Sequence, residues 1–399
     1  MPKRLTFLEA LLIIVPLTIA IRGSNNMLIT TIPLVARYQF SFNNSEIGLV
    51  SAVIALSTFI SSGILNSRLS SPIRRKAFIT STAVYALILP LFYYSNPLLV
   101  WALSAIAGLS LGLMMPNVIN AAGLLEDRKA RERLLSIYTL ALSVSLVVGP
   151  AVESLVLKFY PLRYVFLWFE PFALLAFVLS FFLEFPQEAN GKKVEVKVFS
   201  NPGFKVAVLN ILSYNVPFAT ITAFAGVYAK EAFGLSYSEV TAFFSAFFVT
   251  SLLARLYLSL RPAERISGLV TFSVSLTVIG LTLATLSGNP LLFLGALLVL
   301  GIPHGITYPL SVISISRTFK AEERNAANSQ FFAIMMLIGV VTPLVDGVVA
   351  QALGIRPLFA LLIPIVLAFL IMLKRHVKVV DLAVMESKKA QKEKQDKLA

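Results

Sequence analysis

The chain has 399 residues and a formal net charge of +14; 57% of the residues are hydrophobic and only 14% are charged. Because a soluble domain carries about 25% charged residues, this composition excludes water as the main solvent. The chain has no cysteine and only two histidines, His304 and His376, which excludes disulfides, thiolate chemistry and multi-histidine metal sites, and we expect no cofactor.

The apolar runs have the length that membrane-spanning helices need. They approach the ~20 residues that cross a ~30 Å hydrocarbon core, and short polar, proline or glycine segments separate them. Lipid offers backbone groups no hydrogen-bond partner, so these runs form helices. We expect an all-α membrane protein with twelve transmembrane helices. The predicted spans are residues 6–38, 46–65, 77–94, 98–125, 134–160, 164–183, 204–228, 239–260, 266–286, 291–316, 325–352 and 358–373.

Basic residues are distributed unevenly between the two sides of this arrangement. Most of the 34 lysines and arginines lie on the side that holds both termini. The positive-inside rule therefore places both termini in the cytoplasm of a multi-pass protein of the cell membrane. Because these residues do not cluster with aromatic residues on a soluble face, we expect no nucleic-acid partner. We expect a monomer embedded in the lipid bilayer.

The second half of the chain repeats landmarks of the first at a constant offset of 193 positions. This register indicates two copies of a six-helix unit in the same membrane orientation, related by an axis along the membrane normal. The predicted parts are a bundle at 1–184, a cytoplasmic linker at 185–203, a bundle at 204–374 and a cytoplasmic charged tail at 375–399. Matching pairs are Arg37 with Lys230, Arg68 with Arg261, Gly108 with Gly301, Gly112 with Gly305, Pro116 with Pro309, Pro150 with Pro343, Glu153 with Asp346 and Arg163 with Arg356.

Two further features of the repeat predict local structure. Ser45-Glu46 and Ser238-Glu239 resemble helix starts, in which a hydroxyl caps the first N–H groups and an acid lies at the positive helix end. We therefore expect Ser45 and Ser238 to be N-caps. The glycines four residues apart in the fourth and tenth spans predict close approach of neighbouring helix backbones.

The loop after the second span resembles a motif of the major facilitator superfamily. The stretch from Gly63 to Lys76 is similar to the family pattern G-x-L-x-D-R-x-G-R-R, with Asn66 at the aspartate position and Arg68 at the arginine position. The resemblance implies a cytoplasmic gate formed by Asn66 and Arg68.

Other segments extend the resemblance over residues 5–373. Gly149-Pro150 is similar to the start of the antiporter motif G-P-x-x-G-G, and Gly108 and Pro116 keep the spacing of the fourth-helix motif. Arg163 and Arg356 each begin an R-x-x-F segment typical of the sixth and twelfth helices. The family fold implies that helices one, four, seven and ten line a central cavity.

Arg22 is the outstanding candidate for function. It lies near the middle of the first span, about 20 Å along the helix from Glu9 and from Arg37 at 1.5 Å per residue. A charge at that depth costs at least ~2.5 kcal/mol, so it indicates function by default. The resemblance places Arg22 at the substrate, where it would also take part in proton coupling. The alternative is a structural salt bridge to an acid on a neighbouring helix.

Glu153 and Asp346 are repeat mates toward the outer ends of their spans. Burial raises the pKa of a carboxylate and a nearby arginine lowers it again, so either acid is a candidate for the transported proton, in partnership with Arg22. The alternative is that each acid only stabilises helix packing. Glu170 on the sixth helix is interpreted as structural and paired with Arg163.

The remaining polar residues at helix depth are predicted to contact the solute, although some of them merely link helices. His304 lies at the middle of the tenth span between prolines, and substrate contact is a more plausible role for it than proton binding. Asn210 in the seventh span is a further cavity candidate. The predicted substrate-binding set is Arg22, Asn25, Asn26, Asn117, Asn120, Tyr214, Asn215, His304 and Tyr308.

These features predict a secondary active transporter that works by alternating access. We expect it to move a small molecule together with a proton or another coupling ion, with a slight preference for an anionic, organic-acid-like metabolite. The chain lacks the Walker A pattern, so ATP hydrolysis is not expected, and no cluster of catalytic residues indicates an enzyme. The alternative is a multidrug/proton antiporter that exports amphipathic compounds. A channel or a non-transporting receptor is a third, weaker interpretation.

Overall fold

In the computed structural model the chain is helical over nearly all of the part described, which comprises residues 6–122, 124, 125, 127–185, 197–261, 265–320 and 323–396. Within those residues there is no β-strand. Eleven helices are long and apolar enough to span a membrane, and Tyr164–Ser180 is a shorter apolar helix. The prediction of an all-α protein with twelve membrane helices is thus confirmed.

The twelve helices follow the order of the predicted spans. They are α1 Phe7–Gln39, α2 Asn44–Leu65, α3 Ser71–Phe92, α4 Leu99–Ala122, α5 Arg128–Leu157, α6 Tyr164–Ser180, α7 Pro202–Phe233, α8 Tyr237–Leu260, α9 Ser267–Leu286, α10 Pro290–Thr318, α11 Arg324–Leu353 and α12 Ile355–Asp396.

Reciprocal hydrogen bonds fix the starts of α2 and α8. Asn43 Oδ1 accepts from the backbone N–H of Glu46, and the Glu46 carboxylate accepts from the backbone N–H of Asn43. Ser236 and Glu239 make the equivalent pair at α8. Both are capping boxes, which satisfy two otherwise unpaired donors at a helix end. The caps are also 193 residues apart, as a repeat requires.

The prediction that Ser45 and Ser238 are the N-caps was wrong by two residues. Glu46 and Glu239 were correctly recognised as acids at helix starts. Each carboxylate bonds to the backbone N–H three positions earlier, that of Asn43 and that of Ser236. The two predicted serines are therefore inside the first turn. Their hydroxyls are free to bond to other helices.

Close helix approach occurs where the glycine pairs predicted it. A Cβ atom at Gly108 would lie 2.4 Å from the carbonyl oxygen of Ile54 on α2, and one at Gly305 would lie 2.2 Å from the carbonyl oxygen of Ser251 on α8. Such distances leave no room for a side chain. The corresponding helix pairs in the two halves therefore pack backbone to backbone.

By spatial contact the chain divides into two compact units. The first unit comprises Met1–Asn190, Thr220–Phe248 and Gly339–Ile355; the second comprises Gly191–Ala219, Val249–Ile338 and Arg356–Ala399. In the first, α1 packs most extensively on α5, and α2 packs on α4. The linker predicted at 185–203 lies mostly outside the described residues, which resume with a short turn at Val198–Ser200.

The last helix continues beyond the span that the sequence predicted to end at residue 373. In the second unit, the carboxylate of Asp381 accepts hydrogen bonds from the backbone N–H groups of Ile266 (2.8 Å) and Ser267 (3.1 Å). It also lies 3.7 Å from Arg317 at the end of α10. The start of the predicted charged tail is therefore docked on the ends of α9 and α10.

Candidate functional site

Arg22 is half-buried on α1 in the first unit, close to Tyr138 on α5. The tyrosine hydroxyl lies within electrostatic range of the guanidinium. Among the described residues, no carboxylate forms an ion pair with Arg22. The structural salt bridge considered as an alternative is therefore not formed with any acid in the described part of the chain.

A small cavity adjoins this pair. It has a volume of about 10 Å³, which is room for roughly one water molecule. The positive charge of Arg22 therefore borders a small, mostly apolar void in the helix packing. The lining residues are Thr18, Ile21, Arg22, Met115, Val118 and Tyr138.

Glu153 on α5 is fully buried, and its hydrogen bonds with described residues go to α1. Thr31 Oγ1 donates to Glu153 Oε1 at 2.5 Å, and Thr30 Oγ1 donates to Oε2 at 3.0 Å. Thr30 is eight residues beyond Arg22, about 12 Å along the helix at 1.5 Å per residue. In the part of the chain that is described, no cation pairs with this carboxylate, so the contact with Arg22 considered from the sequence is not made here.

Asp346 on α11 repeats this arrangement in the second half of the chain. It is buried, and Thr220 Oγ1 of α7 donates to its Oδ2 at 2.5 Å. Thr220 immediately precedes a π-helical turn at Ile221–Ala225, a local widening that is frequent at functional sites. In both halves, therefore, the acid of the fifth helix is held by a threonine hydroxyl of the first helix.

The ends of the helices near Glu153 and Asp346 are joined by serine contacts, also in the first unit. Ser238 Oγ donates to the carbonyl oxygen of Ser154 at 2.8 Å, and Ser154 Oγ donates to the carbonyl oxygen of Ser238 at 2.8 Å. Ser45 Oγ donates to the carbonyl oxygen of Gly347 at 3.4 Å. Arg37 forms an ion pair with Glu231 at 2.6 Å. Side chains from both halves of the chain thus meet at the end predicted to face outside.

His304 belongs to the second unit, where it contacts Ser251 and the rings of Phe218 and Tyr214. Its Nδ1 lies 2.7 Å from Ser251 Oγ on α8. The ring centroid is 4.5 Å from that of Phe218 and 5.8 Å from that of Tyr214. The Tyr214 hydroxyl donates to the carbonyl oxygen of Leu300 at 3.0 Å. This group therefore combines a polar contact with flat aromatic faces.

Three predicted asparagines are bonded to neighbouring helices. Asn117 Nδ2 donates to Asn66 Oδ1 at 2.8 Å, and Asn26 Nδ2 donates to the carbonyl oxygen of Leu146 at 3.1 Å. Asn210 donates to Ser311 Oγ at 2.9 Å. These amides link helices. The buried Oδ1 atoms of Asn117 and Asn210 have no hydrogen-bond partner.

The remaining predicted residues differ in exposure. Asn25 and Asn215 are half-buried, whereas Asn120, Tyr308 and Arg68 are exposed. Arg68 is therefore exposed, whereas Asn66 is buried and bonded to Asn117.

The comparison with known families decides the identity of this fold. The family model described as Major Facilitator Superfamily matches residues 14–260 and 206–397. The chain belongs to the major facilitator superfamily.

Solved structures of superfamily transporters have the same fold over nearly the whole chain. The peptide transporter POT, in complex with sulfate, gives a TM-score of 0.76 at 12% identity, over 94% of this chain and 95% of that one. A bacterial homolog of the human lysosomal transporter Spinster, inward-facing and occupied, gives 0.73 at 12% identity over 94% and 97%. The human organic anion transporter MFSD10 gives 0.66 at 14% identity over 93% and 100%. At these identities the likeness shows the fold alone.

Membership of the major facilitator superfamily indicates a transporter, as the sequence motifs predicted. The loop motif of the family has an aspartate where this chain has Asn66, and the structure shows what the amide does there. It accepts a hydrogen bond from Asn117. A neutral amide pair therefore joins α2 to α4 at this position.

Sequence reasoning missed the partners of the charged residues. Thr30, Thr31 and Thr220 donate hydrogen bonds to Glu153 and Asp346, and Tyr138 lies beside Arg22. Adjacent threonines within an apolar helix were the available signal for the first pair. No sequence signal indicated Tyr138, because its proximity to Arg22 depends on how α5 is rotated against α1.

Proposed function

We propose that this superfamily member is a proton-coupled secondary transporter of the cell membrane, with both termini in the cytoplasm, that moves a small anionic organic solute by alternating access. The observation that carries the proposal is Arg22. This guanidinium lies at membrane depth next to a neutral tyrosine, with no carboxylate partner among the described residues.

The argument for an anion is electrostatic. A charged side chain in the middle of a membrane span is costly, and a hydroxyl group offsets only part of that cost. A solute carboxylate would form charge-assisted hydrogen bonds with the guanidinium, which are about twice as strong as neutral ones. Arg22 would therefore recognise the charged end of the solute, with Tyr138 holding the guanidinium in position.

The argument for a proton concerns Glu153 and Asp346. Each carboxyl group is buried among hydroxyl donors and has no described cation beside it. An unpaired buried charge is expensive, so each group gains by taking up a proton whenever water reaches it. Proton uptake and release as the two halves move would couple the solute to the pH gradient.

Transport by purified protein in proteoliposomes tests both parts. An inward proton gradient is expected to drive accumulation of at least one compound from a pool of labelled organic acids. Arg22→Gln should reduce that uptake at least about tenfold, the equivalent of one charge-assisted hydrogen bond, and Arg22→Lys should reduce it less. Arg356→Gln removes an exposed arginine at a helix start and should have no effect. Normal uptake by Arg22→Gln would refute the anion assignment.

The coupling ion is tested by neutralising one acid at a time. Glu153→Gln is expected to abolish accumulation driven by the pH gradient while leaving exchange of labelled for unlabelled solute. Glu170→Gln is the matched control, since Glu170 is another helix-embedded acid of the same half, without a threonine partner. Gradient-driven accumulation by Glu153→Gln at the wild-type level would rule out proton transfer at that residue.

Export of amphipathic compounds is the second candidate. The flat faces of Phe218 and Tyr214 beside His304 favour it, because aromatic rings bind planar apolar groups. The same vesicles, tested with amphipathic dyes, separate the two functions. Dye transport without organic-acid transport would replace the first proposal by the second.

A further inference from the structure

A cleft of about 430 Å³ opens in the first unit at the end of the helices predicted to face outside. The segments that connect α3 with α4 and α5 with α6 form it together with the last residue of α1. It is separate from the proposed transport residues. Its lining consists of Gln39, Tyr93, Tyr94, Pro161, Arg163 and Tyr164.

The cation of this cleft, Arg163, is fixed in position. Its Nε donates to Gln39 Oε1, its Nη1 donates to the carbonyl oxygen of Tyr93 at 3.4 Å, and its guanidinium lies 5.2 Å from the ring centroid of Phe40. A guanidinium has five N–H donors, and the described residues accept only these two hydrogen bonds. The other donors of a pre-positioned fork are thus available at the cleft.

The predicted pairing of Arg163 with Glu170 was wrong. Glu170 lies within α6, and its Oε2 has no hydrogen-bond partner among the described residues. Arg163 contacts a neutral amide, a carbonyl oxygen and a ring instead. Its positive charge is therefore not neutralised by any described residue.

The surroundings of the cleft locate it at the membrane surface. Tyr94 is 71% exposed and Phe159 is 74% exposed, while Trp168 and Tyr160 contact each other in a tilted arrangement and are also exposed. Exposed tyrosine and tryptophan concentrate at the level of lipid headgroups. At this depth the abundant anion is the phosphate group of a phospholipid.

We infer that this cleft binds the phosphate group of an anionic phospholipid. Arg163 supplies the charge and a forked pair of donors, a geometry that matches phosphate oxygens, and the tyrosine hydroxyls supply neutral donors. The acyl chains would lie on the exposed aromatic side chains beside the cleft. The inference is independent of the proposed solute and coupling ion.

The repeat provides an internal control. Arg356 is the counterpart of Arg163 and begins α12, where its Nε donates to the carbonyl oxygen of Thr285 at 2.6 Å. The counterparts of Tyr93, Tyr94 and Tyr164 are Leu286, Ser287 and Pro357. The second half therefore has the arginine without the tyrosine donors.

Native mass spectrometry of the full chain, delipidated in detergent and then given phosphatidylglycerol, tests the inference. The wild type is expected to retain phosphatidylglycerol in preference to phosphatidylcholine. Arg163→Gln should weaken that binding roughly tenfold, the equivalent of one charge-assisted hydrogen bond, with Arg163→Lys intermediate and Arg356→Gln unchanged. Tyr94→Ala, at an exposed position, should weaken it without affecting folding.

Two results would overturn the inference. One is binding of phosphatidylglycerol by folded Arg163→Gln protein, judged by size-exclusion chromatography, with wild-type affinity. The other is binding of glycerol 3-phosphate, the water-soluble part of the lipid, as tightly as the lipid itself, because the cleft would then be a site for free phosphate esters.

Discussion

The hydroxyl groups of Ser45 and Ser238, 193 residues apart, donate to carbonyl oxygens that are also 193 residues apart, those of Gly347 and Ser154. The start of α2 thus contacts α11 in the same way that the start of α8 contacts α5. The 193-residue register of the sequence is therefore repeated in these contacts. Under the proposed alternating-access mechanism, opening of this end would break these contacts.

The backbone of α2 approaches α11 most closely at Gly48, and this approach predicts the effect of adding a single methyl group there. A Cβ atom at Gly48 would lie 2.1 Å from the carbonyl oxygen of Pro343 and 2.9 Å from the Cα of Gly347. Overpacking of this kind costs about 1–3 kcal/mol, so Gly48→Ala should disfavour the closed arrangement and reduce transport about tenfold or more. Gly295→Ala is the control, since no atom lies within 4 Å of the Cβ it would add.

Thiol labelling measures the same change directly. The chain has no cysteine, so a single cysteine introduced at Ser154 reports whether the contact between Ser154 and Ser238 is open. Its reaction with a water-soluble maleimide should be faster in the Gly48→Ala background and unchanged in the Gly295→Ala background. Equal labelling rates in the wild-type, Gly48→Ala and Gly295→Ala backgrounds would show that the α2–α11 contact does not control access of the maleimide to position 154.

The ion pair between Arg37 and Glu231 predicts a smaller effect. Both side chains are partly exposed, at 31% and 38%, and exposed pairs contribute about 0.2–1 kcal/mol. Arg37→Glu and Glu231→Arg should each lower the transport rate a few-fold, and the double charge reversal should restore it. A double-mutant cycle of transport rates, repeated at high salt, measures the coupling. A double variant as impaired as the sum of the two singles would show that the pair has no energetic role.

The fold could be predicted almost completely from the sequence, whereas the side-chain contacts between helices could not. Hydrophobic length and the 193-residue register determine which segments span the membrane and which residues correspond, because both depend on position along the chain alone. The error at Ser45 shows the limit. Asn43 and Ser45 are both good caps, and only the reach of the Glu46 side chain distinguishes them.

The charged residues show the same limit more strongly. Arg22, Glu153 and Asp346 were identified because a charge in an apolar helix is conspicuous, but their partners are ordinary tyrosine and threonine side chains. Which of several neutral groups faces a charge depends on the rotation of one helix against another, and composition carries no information about that rotation.

The threonines that hold the acids predict a loss of coupling when their hydroxyls are removed. Thr31→Val and Thr220→Val keep the side-chain shape but delete hydrogen bonds to Glu153 and Asp346. A hydrogen bond to a charged group contributes about 1.5–3 kcal/mol, so uptake driven by a pH gradient should fall at least tenfold. Thr277→Val is the control, because that buried hydroxyl bonds only to the carbonyl oxygen of Ser273 in its own helix. Full activity of both acid-site variants would mean that the hydroxyls do not influence proton transfer.

The docked end of α12 predicts a change in stability without a change in mechanism. Asp381 accepts from the first N–H groups of α9 and lies near Arg317, so Asp381→Ala removes a helix cap of about 0.5–2 kcal/mol. The thermal midpoint of the full chain in detergent, measured at one scan rate because such unfolding is commonly irreversible, should fall by a few degrees. Lys378→Gln, an exposed position on the same segment, should leave it unchanged. Since the capped helix end belongs to the second unit alone, the solute affinity of Asp381→Ala should match the wild type, and a large loss of affinity at normal stability would instead give this residue a role in transport.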